Sequence, residues 1–457
     1  MDHAVGVRQP NTRIAAWGVL VALCWPSAAA AERLAERVVV VSLDGVAAAE
    51  LNHPDNELPM LRGFAKSGVH GAATSVLPSV TWAAHTTLVT GVLPARHGVV
   101  GNHWLDREAG VVIHAWQPTK EASVAVPTIY DVAHTAGLST AALLWPQTSG
   151  APTLDLSIPE VYSKAAFSRF VTPKLRRGLD KAGIAVDRLA ELSEAEEAPL
   201  DELAAKITEH VIEHHGPHLL LVHLTSADTR AHRAGPGSPR HRAGLALYDR
   251  LVGRIVGAVG KAGHGDRTAF FVVSDHGFFA TTHQVDAAGI LARAGLKPPA
   301  VRVVANGHLA YVYVKGDGAQ RAALVEQCAV ALRAHPAVEQ AFGEQEYARH
   351  GLPLPKDNPA VGDLVALTRT DHYFGTVAGD AVVGKARYRG THGYLPDVPA
   401  NHAVFIAWGA GIRLRAEPIR LANADVAPTI ARLLGLTLPG PLDGRVRDEI
   451  LATSKHP

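Results

Sequence analysis

Six short runs of Val, Leu, Ile, Ala and Phe punctuate the chain, at residues 38–43, 141–145, 219–224, 269–273, 310–314 and 403–408. In each, apolar residues follow one another instead of alternating with polar ones. That pattern predicts strands buried on both faces of a sheet. Longer helix-like stretches lie between them, so the expected fold is α/β, with a doubly wound, mostly parallel central sheet flanked by helices. Three runs end at or near an acid: Leu43 leads into Asp44, Leu224 is soon followed by Asp228, and Val273 by Asp275. Ligands gather beyond the carboxyl ends of strands in open α/β sheets, so these carboxylates are expected to converge.

The pattern changes over about 163–215, where charged, alanine-rich segments predict a helical insert whose charge is a solvated helix face. A second insert, about 321–400, begins with an amphipathic helix and a Pro-rich stretch at 352–359, and is expected to form a small α+β lobe. At the start, Arg8 and Arg13 precede an apolar run from Ile14 to Trp25 and small residues from Ser27 to Ala31. That order predicts a signal peptide over residues 1–31, cleaved near Ala30, and an exported, periplasmic or secreted protein. The apolar run is shorter than the roughly 20 residues of a membrane anchor. Residues 32–457 then read as one domain with the two inserts; no internal repeat or long linker divides them.

Composition adds little to the fold and more to the chemistry. With 47% hydrophobic and 19% charged residues among 457, the chain has material for a large core. A formal net charge of +1 gives no electrostatic reason to expect nucleic acid or an anionic membrane as partner. The 25 histidines permit metal chemistry. Cys24 falls in the export segment, which leaves Cys328 alone and excludes an intrachain disulfide after cleavage.

The candidate chemistry sits at the strand ends. Asp228 and His232, spaced i and i+4, fall on one helix face. Asp275 and His276 leave the end of another strand, Asp44 precedes Gly45, and His392 lies shortly before the run at 403–408. Singly, each has a plain reading as a cap, a surface pair or a loop histidine. Together, three carboxylates and three imidazoles form a ligand set suited to two borderline divalent ions. Thr81, at the head of a helical run that includes Thr86, Thr87 and Thr90, is the candidate nucleophile, with Ser79 its local competitor and an N-cap role the alternative reading. The stretch from Arg230 to Arg242, rich in Arg and His, reads as a solvated loop or as a device that steers anions.

These residues resemble the nucleotide pyrophosphatase/phosphodiesterase branch of the alkaline phosphatase superfamily. The likeness runs from VVVVSLDG at Val38 through PSVTWAAHTTLVTG, HGVVGNHWLD, SADTRAH, VVSDHGF and GTHGYLPD to ADVAPTIARLLGL. It implies an alkaline-phosphatase-like fold and hydrolysis of phosphate diesters or nucleotide pyrophosphate bonds. It also implies two zinc ions, one held by Asp228, His232 and His392, the other by Asp44, Asp275 and His276 with the Thr81 oxygen. Thr81 would attack phosphorus to give a phosphothreonine intermediate, and Asn102 would donate its amide to a phosphoryl oxygen. Trp82 matches an aromatic that stacks on a nucleobase, although no second aromatic for a sandwich stands out. Ala83 and Ala84 depart from the Pro-Asn of many relatives, a difference expected to affect helix packing.

Phosphonate hydrolases of the phosphonoacetate type share the metal set and the threonine, and a phosphomonoesterase would use the same centre. Sulfatases fit less well, because their Cys-or-Ser, Pro, Arg arrangement is missing around Thr81. An exported, non-catalytic binding protein on the same scaffold is the reading of another class. In every case the expected partner is a small molecule, without a stable nucleic-acid complex.

Overall fold

The computed structural model describes residues 32–192 and 197–453. The expected export segment, with Cys24, lies outside the described residues. An eight-stranded sheet forms the centre, in the order Ile419–Ala422, Val69–Thr74, Ala403–Gly409, Thr268–Val273, Arg37–Leu43, Leu219–Leu224, Thr140–Trp145, Leu156–Pro159. Ala403–Gly409 runs antiparallel to both neighbours, and the remaining pairings are parallel. The fold is thus the expected mostly parallel α/β architecture.

Burial on both faces explains the unbroken apolar runs. In the first strand Val39 and Val41 enter one core, with Leu245, Leu251 and Ile255 of the helix Pro239–Lys261. Val38 and Val40 enter the opposite core, with Leu88 and Val89 of the helix Thr81–Thr90 and Ile430 of Val426–Leu433. Each such aliphatic side chain contributes roughly 1.5–3 kcal/mol on leaving water. The helix Glu197–His215 buries Ile207 and Val211 in the first core. On its outer side Glu202 and Glu209 meet the Arg254 guanidinium at 2.6 and 2.8 Å. Among the described residues no helix is long and apolar enough to cross a membrane.

One strand belongs elsewhere. Leu309–Val314 is the second strand of a separate antiparallel sheet, ordered Val301–Asn306, Leu309–Val314, Leu364–Thr368, Val338–Gly343. Its Ala310, Val312 and Val314 face Cys328 and Leu332 of the helix Gly318–Arg333, while Leu309, Tyr311 and Tyr313 pack with Leu77, Val100 and Tyr347. Covered on both sides, it carries no alternation and reads in sequence like a strand of the central sheet. This second sheet starts at Val301, ahead of residue 321.

Candidate active site

The carboxyl edge of the central sheet brings the three acidic strand ends together. Asp44 follows Arg37–Leu43, Asp275 follows Thr268–Val273, and Asp228 sits in the helix Ser226–Ala234 just beyond Leu219–Leu224. Gly45 makes their approach possible: at φ +71° a Cβ there would lie 2.9 Å from the Phe278 ring and 3.1 Å from Asp228 Oδ1. Gly277 has a similar duty, since a Cβ would fall 2.0 Å from the Ala400 carbonyl oxygen. The expected i, i+4 pair forms, with His232 Nε2 3.5 Å from Asp228 Oδ2. His392 Nε2 comes within 3.8 Å of Asp228 Oδ1. His276 Nε2 lies 3.5 Å from Asp44 Oδ1 and 3.1 Å from Asp275 Oδ2.

Protonation gives this cluster its meaning. His232 Nδ1 is 2.9 Å from the Gly390 carbonyl, His276 Nδ1 is 3.0 Å from that of Gly277, and His392 Nδ1 is 3.1 Å from that of Ser79. A carbonyl only accepts, so each Nδ1 carries the hydrogen and each Nε2 presents a lone pair to a carboxylate. Burial also disfavours the imidazolium, pushing His232 down to about 4, His276 below its usual value and His392 well below it. Among the carboxyl groups, burial and then the charge of Asp275 drive Asp44 well above the usual range; burial, Asp44 and Asp275 do the same to Asp228. Burial opposes ionisation of Asp275 too, but His276, His85, His223 and the Gly45 N–H outweigh it and hold that group at about 2.

Asp44 Oδ1, Asp228 Oδ1, Asp275 Oδ2 and His276 Nε2 are buried without a hydrogen-bond partner. Acceptors facing acceptors in a dry site are costly unless a cation lies between them, so this donor set fits divalent metal ions. Two groups of three ligand atoms lie within 4.8 Å of one another here: Asp228, His232 and His392, and Asp44, Asp228 and His276. Asp228 is common to both groups, and Asp275 joins through its contact with His276.

Thr81, Asp44, Asp228, His232 and His392 line one cavity of about 630 Å³. Thr81 opens the helix Thr81–Thr90, in which every residue is buried. Val80 holds the N-cap position without a side-chain bond, so Thr81 is not the cap but the first helical residue, and it lines the cavity. The other threonines are engaged elsewhere: Thr86 donates to the Trp82 carbonyl, Thr90 to that of Thr86, and the Thr87 hydroxyl meets His97 Nε2 at 3.0 Å. Ser79 is fully buried, donates to the Tyr394 carbonyl and accepts from Asn401. Asn102 Oδ1 accepts from the Trp82 N–H at 3.1 Å, which leaves its NH2 to donate.

The family described as type I phosphodiesterase / nucleotide pyrophosphatase matches this sequence over residues 38–395. The chain belongs to that family. Among its relatives, venom phosphodiesterase from Macrovipera lebetinus is 22% identical over 89% of this chain and 44% of its own length. Human ectonucleotide pyrophosphatase/phosphodiesterase family member 7 is 28% identical over 53% of this chain and 47% of its own. The chain thus spans less than half the length of these relatives. Among solved structures, murine ectonucleotide pyrophosphatase/phosphodiesterase 5 superposes with a TM-score of 0.69 at 21% identity, covering 91% of this chain and all of that one. Its inactive threonine-to-alanine variant in complex with AMP gives 0.70.

Around the phosphodiesterase-family motifs the structure adds residues that the sequence did not single out. His223, in the middle of Leu219–Leu224, lies with Nε2 3.2 Å from Asp44 Oδ2 and Nδ1 2.9 Å from Glu160 Oε2 and 3.2 Å from the Leu144 carbonyl. Nδ1 faces two acceptors and so carries a hydrogen, while Nε2 lies beside Asp44 without a hydrogen-bond partner. Burial works against a charge on the ring, but Glu160 and Asp44 outweigh it and raise the pKa well above 6.5. Leu144 turns its carbonyl this way from a left-handed conformation, φ +56°, that a non-glycine residue adopts at a cost. His85 Nδ1 donates to the Thr81 carbonyl and its Nε2 accepts from Ser42. Tyr162, 60% exposed, is a further aromatic at the cavity, its ring 6.0 Å from Trp82 and 6.4 Å from Trp116, with its hydroxyl donating to Glu160.

Proposed function

We propose that this chain hydrolyses phosphate diesters or nucleotide pyrophosphate bonds with Thr81 as nucleophile, over two divalent cations of the zinc type. The observation that carries the reading is the cluster of imidazole Nε2 and carboxyl oxygen atoms aimed at one another, four of whose residues, Asp44, Asp228, His232 and His392, line the same cavity as Thr81. Asp228, His232 and His392 would hold one cation; Asp44, Asp275 and His276, with Thr81 Oγ1, the other. When bound, such ions lower the pKa of a coordinated hydroxyl or water and offset charge on the phosphoryl oxygens.

The remaining work falls to the chain. Thr81 Oγ1 bonds to phosphorus in line as the bond to the leaving oxygen breaks, and the hydroxyl proton passes to solvent. Water then cleaves the Thr81 phosphate ester and restores the hydroxyl. The Asn102 NH2 donates to a non-bridging oxygen, and the uncapped first turn of Thr81–Thr90 favours the anion through its dipole. Trp82, Tyr162 and Trp116 give an aromatic substituent surfaces to stack on, which supports a nucleotide or a similar small molecule as substrate. The AMP bound by the murine relative is of that class. The basic, apolar and small-residue order of residues 1–31 supports export.

The test compares bis(p-nitrophenyl) phosphate, p-nitrophenyl phosphate and phosphonoacetate after zinc loading, in wild type and Thr81→Ala. The diester is expected to turn over fastest, and Thr81→Ala to keep its zinc while losing about 10³-fold or more in kcat. Wild-type rates in the variant would overturn the nucleophile assignment. A preference for phosphonoacetate would move the substrate to a carbon–phosphorus bond, and zinc-loaded protein inert to all three would favour a binding role.

A further inference from the structure

A second group of metal-type ligands lies away from the catalytic cavity. The short strands His283–Val285 and His372–Phe374 run parallel, with His283 directly opposite His372. Their rings stack at 5.0 Å with an interplanar angle of 20°. Asp371 Oδ1 is 2.8 Å from His372 Nδ1, and one ligand atom from each of His283, Asp371 and His372 falls within 4.8 Å of the other two. The backbone beneath is held, since the Thr282 and His283 N–H groups both donate to the Asp371 carbonyl, at 2.9 and 3.3 Å. We propose that His283, Asp371 and His372 form a third cation site, structural in kind, that takes a borderline divalent ion such as Zn²⁺.

Chemistry and position both favour this reading. Two imidazoles and a carboxylate are zinc ligands at about 2.0–2.2 Å, which places ligand atoms on a tetrahedron about 3.3 Å apart. Closing from the observed separations exchanges the 2.8 Å contact of Asp371 Oδ1 with His372 Nδ1 for a shared cation, and the Asp371 side chain, 53% exposed, has room to turn, while Thr282 Oγ1 at 2.8 Å holds His283 Nδ1 and leaves Nε2 as its ligand atom. The Arg369 guanidinium approaches Asp371 Oδ1 only at 3.9 Å, with both side chains more than half exposed, a pair too weak and screened to hold the carboxylate. None of the three ligands lines the catalytic cavity, but Tyr373, between His372 and Phe374, does. Its hydroxyl donates to Gln284 and accepts from the N–H groups of Arg387 and Tyr388. A cation across His283 and His372 would therefore pin the two strands beneath one wall of the cavity. Three protein ligands leave the fourth position to water.

Equilibrium dialysis of the full chain against Zn²⁺, followed by elemental analysis, tests the site as a difference between proteins, whatever the catalytic cluster holds. His283→Ala/His372→Ala is expected to bind one equivalent less zinc than wild type, with an unchanged circular dichroism spectrum and an unchanged rate of diester hydrolysis at saturating zinc. Asp371→Asn, which keeps both imidazoles, is expected to release that equivalent at lower chelator concentration than wild type. Equal zinc content in wild type and the double variant would overturn the proposal. So would a loss of hydrolysis together with zinc, because the pair would then be serving the catalytic cluster.

Discussion

His232, His276 and His392 share one local arrangement: Nδ1–H on a backbone carbonyl and Nε2 turned toward carboxylates. Carbonyls that fix the tautomer also fix the ring plane, so the lone pairs are aimed before any cation arrives. His223 stands one layer further out, between Asp44 and Glu160, whose charges favour its protonated form. Glu160→Gln removes one of those charges without emptying the space. Its expected result is a 10–100-fold loss of zinc affinity, read by chelator competition, with the fold intact; unchanged affinity would show that His223 needs no partner. Five of the six ligand candidates stood out because they follow an apolar run in a polar or glycine-flanked motif, and His392 because it lies beside Gly393 shortly before one. His223 did not, since it sits inside a strand, and its signal was a lone histidine in LLVHL where only apolar side chains are expected.

Secondary-structure elements set the aim of the reacting groups. The helix Thr81–Thr90 is buried on all sides and lacks a side-chain cap, so its first-turn N–H groups depend on neighbours such as Asn102. Because Asn102 Oδ1 is occupied by Trp82 N–H, its NH2 is the free end. Asn102→Ala should retain zinc while lowering kcat by about 10²–10³-fold, as loss of one oxyanion donor does. A rate within a few-fold of wild type would show that the amide does not meet the phosphoryl group. Sequence pattern located this helix and the five apolar strands of the central sheet, but Leu309–Val314 misled it: burial on both faces looks the same in a parallel core and in an antiparallel sheet sandwiched between two clusters. Tyr162 was equally hidden, because its place beside Trp82 comes from the turn after Leu156–Pro159 and not from spacing.

For the molecule as a whole, two cores hold the central sheet so that its carboxyl edge carries the cluster. Stability there is tied to pH through buried neutral histidines. His97, away from the cluster, accepts from the Val99 N–H and meets the Thr87 hydroxyl at 3.0 Å. Burial pushes it down from 6.5 to about 3, so its contribution is whole above pH 6.5 and is lost progressively as pH falls toward 3. Urea midpoints should therefore separate wild type from His97→Gln at pH 7 and draw together at lower pH; a constant gap would contradict a neutral buried ring. The proposed chemistry requires a pair of cations among Asp44, Asp228, His232, Asp275, His276 and His392 with the Thr81 oxygen on one of them. Crystallographic anomalous scattering at the zinc edge on zinc-loaded protein tests it most directly. Two peaks about 4 Å apart are expected inside that cluster, one of them in contact with Thr81 Oγ1; a cluster without zinc, or a Thr81 hydroxyl turned away from both peaks, would contradict this arrangement.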